Sequence, residues 1–391
     1  MRILFIHDYG YKLGGAEAET LARLKAMRDR GFNVKLFTSK SRLNSELVDY
    51  SVRSYRTRWI PDFLNPFYYF NLLSFIKLGE VITDFKPDIL HYGNVCYELS
   101  PSVLCYVKRY PSVMKVHDYS IVCPKSTMNK ENHMCNVSFS LYCLKSHCIS
   151  KRYQLVRYLS QLIRMRLLRY FVNQIKVLIT PSNFVGEVVS RVYSNPRVTI
   201  NNYVSVIKRR PYKVNGDILY IGRLAKEKGV QDLILAFSKV ESRLPNRRLV
   251  LVGDGNYKQQ LIDLTHSLKL ERRIMFKGYK ADVARYYRNS SLVVVPSQWP
   301  EPFGIVIIEA MAYGIPVIAT GVGGISEIIK HGNNGYLCKP NDAHILARVI
   351  LSFFRDTNRM KKMSAAAFNT SKQYSTQKFV AKLSKIYEML K

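Results

Sequence analysis

Two glutamates and two cations are the residues best suited to chemistry. Glu301 lies in the loop Pro296-Ser297-Gln298-Trp299-Pro300-Glu301-Pro302-Phe303-Gly304, and Glu309 follows eight positions later among Ile305, Val306, Ile307, Ile308 and Ala310. A carboxylate in apolar surroundings costs free energy unless it accepts good hydrogen bonds, and pairs of sugar hydroxyls are suitable donors. Arg223 follows Gly222, and Lys228 precedes Gly229. Arg supplies a planar fork and Lys a compact point charge, so the two can share one diphosphate. Upstream, Gly14-Gly15-Ala16-Glu17 opens a helical pattern. Glycines there let an anion approach the free N–H groups of a helix start. The spacing is not the G-x-G-x-x-G of a dinucleotide site. His117 ends an apolar run and is followed by Asp118. Each feature has a plainer alternative: a flexible turn, a core histidine, a solvated charge.

These residues need a frame that places them together. Short β-branched runs recur at 3–7, 34–38, 89–91, 113–117, 177–180 and 198–200, then at 218–222, 249–253, 292–296 and 316–319. Between them lie periodic stretches of helix length, such as 16–30, 230–244 and 257–268. That cadence predicts parallel sheets covered on both faces, an α/β fold. The pattern restarts at Asp217-Ile218-Leu219-Tyr220-Ile221-Gly222, after the poorly periodic 202–216 with its Lys208-Arg209-Arg210-Pro211. Two Rossmann-like doubly wound domains facing each other across a cleft are therefore expected. Ligands bind beyond the carboxyl ends of such strands, where the residues above fall.

Length and composition agree. At 391 residues, two domains are the natural expectation. Hydrophobic residues at 47% and charged residues at 23% exclude a disordered, collagenous or coiled-coil chain. The net charge of +32 favours anionic partners, and it is shared by both halves, with 29 basic and 14 acidic residues up to 205 and 31 and 14 beyond. A nucleic-acid binder would need a recognisable reading module, and none is found; it would also leave both glutamates unexplained. The opening Met1-Arg2-Ile3-Leu4-Phe5-Ile6-His7-Asp8 reads as a first strand rather than a signal peptide, and no run of 18 apolar residues occurs. A cytoplasmic protein is the expectation.

Three other segments bear on partners. Trp59, Phe63, Phe67, Tyr68, Tyr69, Phe70 and Phe75 follow Arg53, Arg56 and Arg58, which suits either a membrane interface or a core helix with a basic cap. Segment 151–176 carries seven cations and no acid, but its apolar residues occupy nearly all helical faces, so a partly buried helix with snorkelling arginines is expected. Cys123, Cys135, Cys143 and Cys148 cluster with His133 and His147. They lack a C-x-x-C pair, so zinc is the minority reading and reduced thiols the default.

Taken in order, Gly-Gly-Ala-Glu, the strand-end His, Gly-Arg-Leu with Lys-Gly, Glu-(x7)-Glu and Gly323-Gly324 resemble the retaining glycosyltransferases of family 4, of the GT-B fold. Val252-Gly253-Asp254-Gly255 and Asn334-Gly335-Tyr336-Leu337 also look like that family's C-terminal domain. The resemblance is dense from 217 to 338 and weaker at 40–110 and 119–175. Pro302 departs from it, standing where many relatives have Gly. The resemblance implies an N-terminal acceptor-side domain at 1–205, a nucleotide-sugar domain at 206–375, and a closing helix at 376–391 that packs back on the first domain.

It also implies roles. Glu309 would bind the ribose, Glu301 the transferred sugar, Arg223 and Lys228 the diphosphate, with backbone N–H groups from Phe303 and Gly304 to Ile305 and Val306. Gly14 and Gly15 would join the donor site, and His117 would position the donor sugar. The catalytic set is then His117, Glu301, Arg223 and Lys228. The donor would be a UDP- or GDP-linked hexose or N-acetylhexosamine, with no cofactor or metal required. The acceptor would be a lipid-linked saccharide in surface-polysaccharide synthesis, met at the anionic inner face of the cell membrane. A nucleotide-sugar epimerase or a phosphorylase on the same fold is the alternative.

Overall fold

The computed structural model describes residues 1–11, 14–54, 61–130, 133–135, 138–146, 148, 153–205, 208 and 211–391. The chain divides into two units, one of 1–130, 135–202 and 377–391, the other of 131–134 and 203–376.

The first unit holds a seven-stranded sheet made of β1 (Arg2–Ile6), β2 (Asn33–Ser39), β3 (Tyr50–Val52), β4 (Ile89–Tyr92), β5 (Ser112–Lys115), β6 (Val177–Thr180) and β7 (Arg197–Thr199). Its order is β3-β2-β1-β4-β5-β6-β7, and every pairing is parallel. The second unit holds β8 (Asp217–Ile221), β9 (Leu249–Val252), β10 (Ile274–Phe276), β11 (Ser290–Val295), β12 (Val317–Thr320) and β13 (Gly335–Cys338). Their order, β10-β9-β8-β11-β12-β13, repeats that of the first unit and is again parallel throughout. Both sheets reverse direction beside their first strand, between β1 and β4 and between β8 and β11. Each unit is a Rossmann-like domain.

Burial on both faces explains the apolar runs. In the second unit Ile218, Tyr220, Leu249, Leu251, Leu292 and Val294 enter one core, while Leu219, Val250, Val252 and Val293 enter another on the opposite face. Successive strand residues point to opposite faces, so two cores require an unbroken apolar strand.

Helices deliver the remaining site residues. In the first unit these are α1 (Gly15–Arg28), α2 (Leu72–Phe85) and α3 (Gln154–Val172). In the second, α4 (Ile305–Ala312) follows β11. The last helix, α5 (Thr376–Leu390), buries Phe379, Val380, Leu383, Ile386 and Tyr387 at helical spacing, and nearly all of it belongs to the first unit. Asn71 caps α2 by accepting the Ser74 N–H, satisfying one of the free donors of a helix start.

The structure differs from the periodicity in three places. The helix expected over 230–244 stops at Ser238 and gives way to a 3-10 turn, Glu241–Arg243. Strands β3, β10 and β13 are three or four residues long, too short to show a period. The aromatic stretch before Phe75 forms 3-10 turns at Asp62–Leu64 and Pro66–Tyr68, where prolines interrupt it, and a helix begins only at Leu72; Arg56, Arg58 and Trp59 lie outside the described residues.

Candidate functional site

In the second unit the predicted residues gather where the strands end at the switch point. Arg223 follows β8, and Lys228 ends a 3-10 turn, Lys226–Lys228. Gly229 has φ +68°, and a Cβ there would lie 1.9 Å from the Pro296 carbonyl oxygen. Only glycine lets the Lys228 turn press against the loop after β11. Gly323 plays the same part from the other side, since a Cβ would lie 2.2 Å from the Glu301 carbonyl oxygen.

The loop so clamped presents the Glu301 carboxylate. Its Oε1 accepts from Lys228 Nζ at 2.6 Å, Ser297 Oγ at 2.5 Å and Trp299 Nε1 at 2.9 Å. The ammonium also sits 4.9 Å from the Trp299 ring centroid, a cation–π contact. Arg223 reaches Glu227 Oε1 at 2.5 Å and leaves its side chain 58% exposed. Glu309, one helical turn into α4, accepts from Tyr287 Oη at 2.8 Å. Burial pushes its carboxyl above the usual range, against that hydrogen bond. Tyr287 is held in turn by stacking on Tyr313. Gly304, at φ +99°, starts α4 without a side-chain cap for the first N–H groups of the helix. Phe303 is buried against Tyr374, leaving its side chain to the core.

The first unit places its predicted residues in a different setting. Gly14 caps α1 in an extended conformation, and Gly15 is its first residue. Burial raises the Glu17 carboxyl, opposed by the nearby backbone N–H groups of Glu17 and Gly14. His117 is buried just beyond β5, its ring edge-on to His7 at 5.7 Å and its Nδ1 3.9 Å from Glu19 Oε2. Burial, then the charges of Arg23 and Lys115, hold its pKa well below the ordinary value, so the imidazole is neutral at pH 7. Its Nε2 has no hydrogen-bond partner among the described residues.

Sequence reasoning missed the ionic cluster beneath that histidine. Lys115 Nζ lies 3.1 Å from Glu19 Oε1, Arg23 lies 3.8 Å from Glu19 Oε2, and Arg23 also contacts His91 Nε2 at 3.1 Å. His91 Nδ1 meets Tyr387 Oη of α5 at 2.5 Å, and Phe379 of α5 covers the Lys115 ammonium. A usable signal was present: Lys115 interrupts an apolar strand two places before His117, and Glu19 and Arg23 are one helical turn apart. Cys123, Cys135, Cys143 and Cys148 are free thiols, and among the described residues no group of three or more His, Cys, Asp or Glu is placed to hold a metal ion. His147 lies outside the described residues. Arg164 is corrected. It is buried, donating to the Cys96 carbonyl at 2.5 Å and lying over Tyr68, rather than snorkelling outward.

Known proteins resemble the chain in sequence and fold. N-acetyl-alpha-D-glucosaminyl L-malate synthase of Bacillus anthracis is 31% identical over 220 residues, 55% of this chain and 56% of that protein. The chain spans about half the length, or less, of the curated relatives it matches first. Sucrose-phosphate synthase from Thermosynechococcus elongatus superposes with a TM-score of 0.77 at 20% identity, covering 100% of this chain and 98% of the other. HepE of Anabaena in complex with UDP gives 0.72 at 22% identity, covering all of both chains. At those identities the likeness speaks for the fold. Residues 13–206 match the family model described as Glycosyltransferase Family 4, and 208–370 match that of Glycosyl transferases group 1. With nearly its whole length taken up by those two matches, the chain belongs to glycosyltransferase family 4 and has the GT-B fold.

Proposed function

We propose that this chain is a retaining glycosyltransferase that moves a hexosyl or N-acetylhexosaminyl group from a UDP- or GDP-linked donor to a lipid-linked glycan during surface-polysaccharide synthesis. The observation that carries the reading is the pairing of Lys228 with Glu301 at the β8–β11 switch point. The pair sits beside the uncapped start of α4, with Glu309 one turn inside it. A diphosphate would draw Lys228 and Arg223 to its oxygens, and hydroxyls of the transferred sugar would replace Lys228 on Glu301. As the anomeric C–O bond breaks, negative charge grows on the leaving diphosphate. Fixed cations and helix N–H groups stabilise that charge more in the transition state than in the ground state. The acceptor hydroxyl forms the new C–O bond on the same face, and its proton passes to the departing phosphate oxygen. His117, neutral and with Nε2 unpaired, suits hydrogen bonding to a sugar hydroxyl rather than charge stabilisation. No divalent ion enters this scheme.

A surface of the first unit supports the membrane part of the reading. Leu155, Leu159 and Ile163 line one exposed face of α3, and Phe67, Phe70, Leu72, Leu73 and Ile76 are exposed nearby. The two segments are fastened together by Tyr69 Oη to Ser160 Oγ and Gln161 Nε2 to Tyr68 Oη. No Asp or Glu occurs between Glu131 and Glu187. Exposed apolar side chains amid unopposed cations suit an anionic lipid surface, to which each cation contributes about 1 kcal/mol. Among the described residues no helix is long and apolar enough to cross a membrane.

Calorimetric titration with UDP and GDP tests the donor site. Glu309→Ala and Arg223→Ala should each weaken nucleotide binding, and wild-type affinity in both would refute the assignment. Activity that vanishes in EDTA and returns with magnesium would refute the metal-free scheme. Binding to anionic but not neutral vesicles, weakening with salt, is expected; no binding to either would place the acceptor in solution.

A further inference from the structure

At the opposite, amino-terminal end of the second unit's sheet lies a recess of about 360 Å³ lined by Lys213, Asn215, Asp217, Arg248, Arg272, Arg273 and Asn289, among others. Its residues precede or begin β8, β9, β10 and β11. β8 is five residues long, so about 16 Å of strand at roughly 3.3 Å per residue separates it from Arg223. The recess is not an extension of the donor site.

Its charges are arranged in two Arg-Arg doublets with a division of labour. Arg247 donates to the carbonyls of Gly216 and Val214 and packs on Phe354, and Arg273 donates to those of Leu244 and Arg247. These two build the wall. Their neighbours face solvent. Arg248 is paired with Asp217 at 3.2 Å, but Arg272 makes no hydrogen bond or ion pair among the described residues, and Lys213 bonds only the neutral Asn289. Lys213, Arg248, Arg272 and Arg273 line the recess; Asp217 pairs with Arg248 and Glu241 with Arg273, which leaves Lys213 and Arg272 side by side without an ion-pair partner among the described residues. Such crowding is repulsive, and exposed pairs return little stability. A bound anion would remove the repulsion.

We infer that this recess is a second ligand site, for a phosphomonoester carried on a hydroxylated body of about one sugar. Arg272 and Lys213 bind the phosphate, as a fork and a point charge. Asn215, Asn246 and Asn289 offer amides to hydroxyls. The volume lies at the low end of small-molecule sites, roughly 300–1,000 Å³, and the polar lining excludes an apolar ligand. A free sugar phosphate and a phosphomonoester lipid headgroup share this chemistry.

Calorimetry on the full chain distinguishes the possibilities, with glucose 6-phosphate as probe and glucose and inorganic phosphate as controls. Glucose 6-phosphate binds, inorganic phosphate binds more weakly, and glucose does not. The Lys213→Ser/Arg272→Ser variant loses roughly tenfold or more in affinity, the scale of a lost charge-assisted contact, without risk to the fold since both side chains are exposed. The Arg223→Ala/Lys228→Ala variant binds the probe as wild type does. Vesicles of phosphatidylcholine with and without phosphatidic acid decide the source. Retention that needs phosphatidic acid, and fails in the Lys213→Ser/Arg272→Ser variant, supports the site and assigns it to lipid. Absence of binding by both glucose 6-phosphate and phosphatidic acid overturns the inference. So does full affinity in the Lys213→Ser/Arg272→Ser variant, or loss of binding in the donor-site variant.

Discussion

The two units share one strand order and one switch point, yet they use charge in opposite ways there. In the first, Arg23 and Lys115 are 0% and 1% exposed and are tied to Glu19 beneath three buried histidines. In the second, Arg223 is 58% exposed, and Lys228, beside a glycine-hinged turn, keeps 20% of its side chain exposed. The same topology thus carries a sealed ionic core in one place and reachable cations in the other. Burial is what separates them. A buried pair is costly to break, because its surviving partner is left desolvated, whereas an exposed pair is cheap to break and free to exchange partners.

The largest effect should come from breaking the sealed cluster. Lys115→Met removes the nearer of the two cations that Glu19 pairs with, and it should cost about 3–5 kcal/mol in urea unfolding. Adding Glu19→Gln should recover part of that loss, since both charges are then gone. A loss under about 1 kcal/mol would mean that water reaches the cluster and that the contrast between the units is false. On the other side, Lys228→Ala should lower turnover about 100- to 1,000-fold while costing less stability than Lys115→Met, since Glu301 keeps Ser297 and Trp299 as donors. A variant that unfolds but keeps its rate per folded molecule would reverse the roles of the two regions.

The contrast was only half legible in the sequence. Arg223, Lys228, Glu301 and Glu309 sit next to glycines, prolines and strand ends, and such local signals survive in a linear reading. Trp299 and Ser297 on Glu301, and Tyr287 on Glu309, were less visible. Tyr287 comes from a helix 22 residues before Glu309, and nothing local announces the contact. The sealed cluster draws Glu19, His91, Lys115 and Tyr387 from four distant segments, and only Lys115, a cation in an apolar strand, hints at it. The parallel sheets were readable because strands buried on both faces are continuously apolar. Strands β3, β10 and β13 were not, being too short to carry a pattern.

Acidification should act on the sealed cluster before the exposed one. Burial, first among the causes, lowers His7 to about 4 and holds His91 and His117 well below the ordinary histidine value. Between the ordinary value near 6.5 and the depressed ones, the unfolded chain binds protons that the folded chain does not. Stability therefore rises with pH through this window and falls on acidification, by about 1.4 kcal/mol per pH unit for each such histidine. Asp8 opposes this. Burial pushes it up to about 7, so it contributes stability at low pH that is lost as pH rises through that value. Burial raises Glu17, Asp118 and Glu309 as well, and they oppose the histidines in the same sense, so the histidine share is read as the difference between wild type and a histidine variant. His7→Asn should make the profile shallower. Identical profiles for wild type and His7→Asn would show that His7 is not held neutral.

The smallest effect should be on the stability of the exposed pair, and it sharpens the comparison because it is small. Arg223 and Glu227 meet at 2.5 Å, a geometry as close as any in the sealed cluster. Distance alone would rank the two sets equally. Solvent decides otherwise: the guanidinium keeps most of its hydration, so the pair gains little over two separate ions in water. Arg223→Ala should therefore shift the unfolding free energy by about 0.2–1 kcal/mol, and by less in high salt, where screening weakens exposed pairs further. The check is urea unfolding at low and high ionic strength. A salt-independent loss of several kcal/mol would mean that Arg223 is part of the fold and is not free to turn toward an incoming diphosphate.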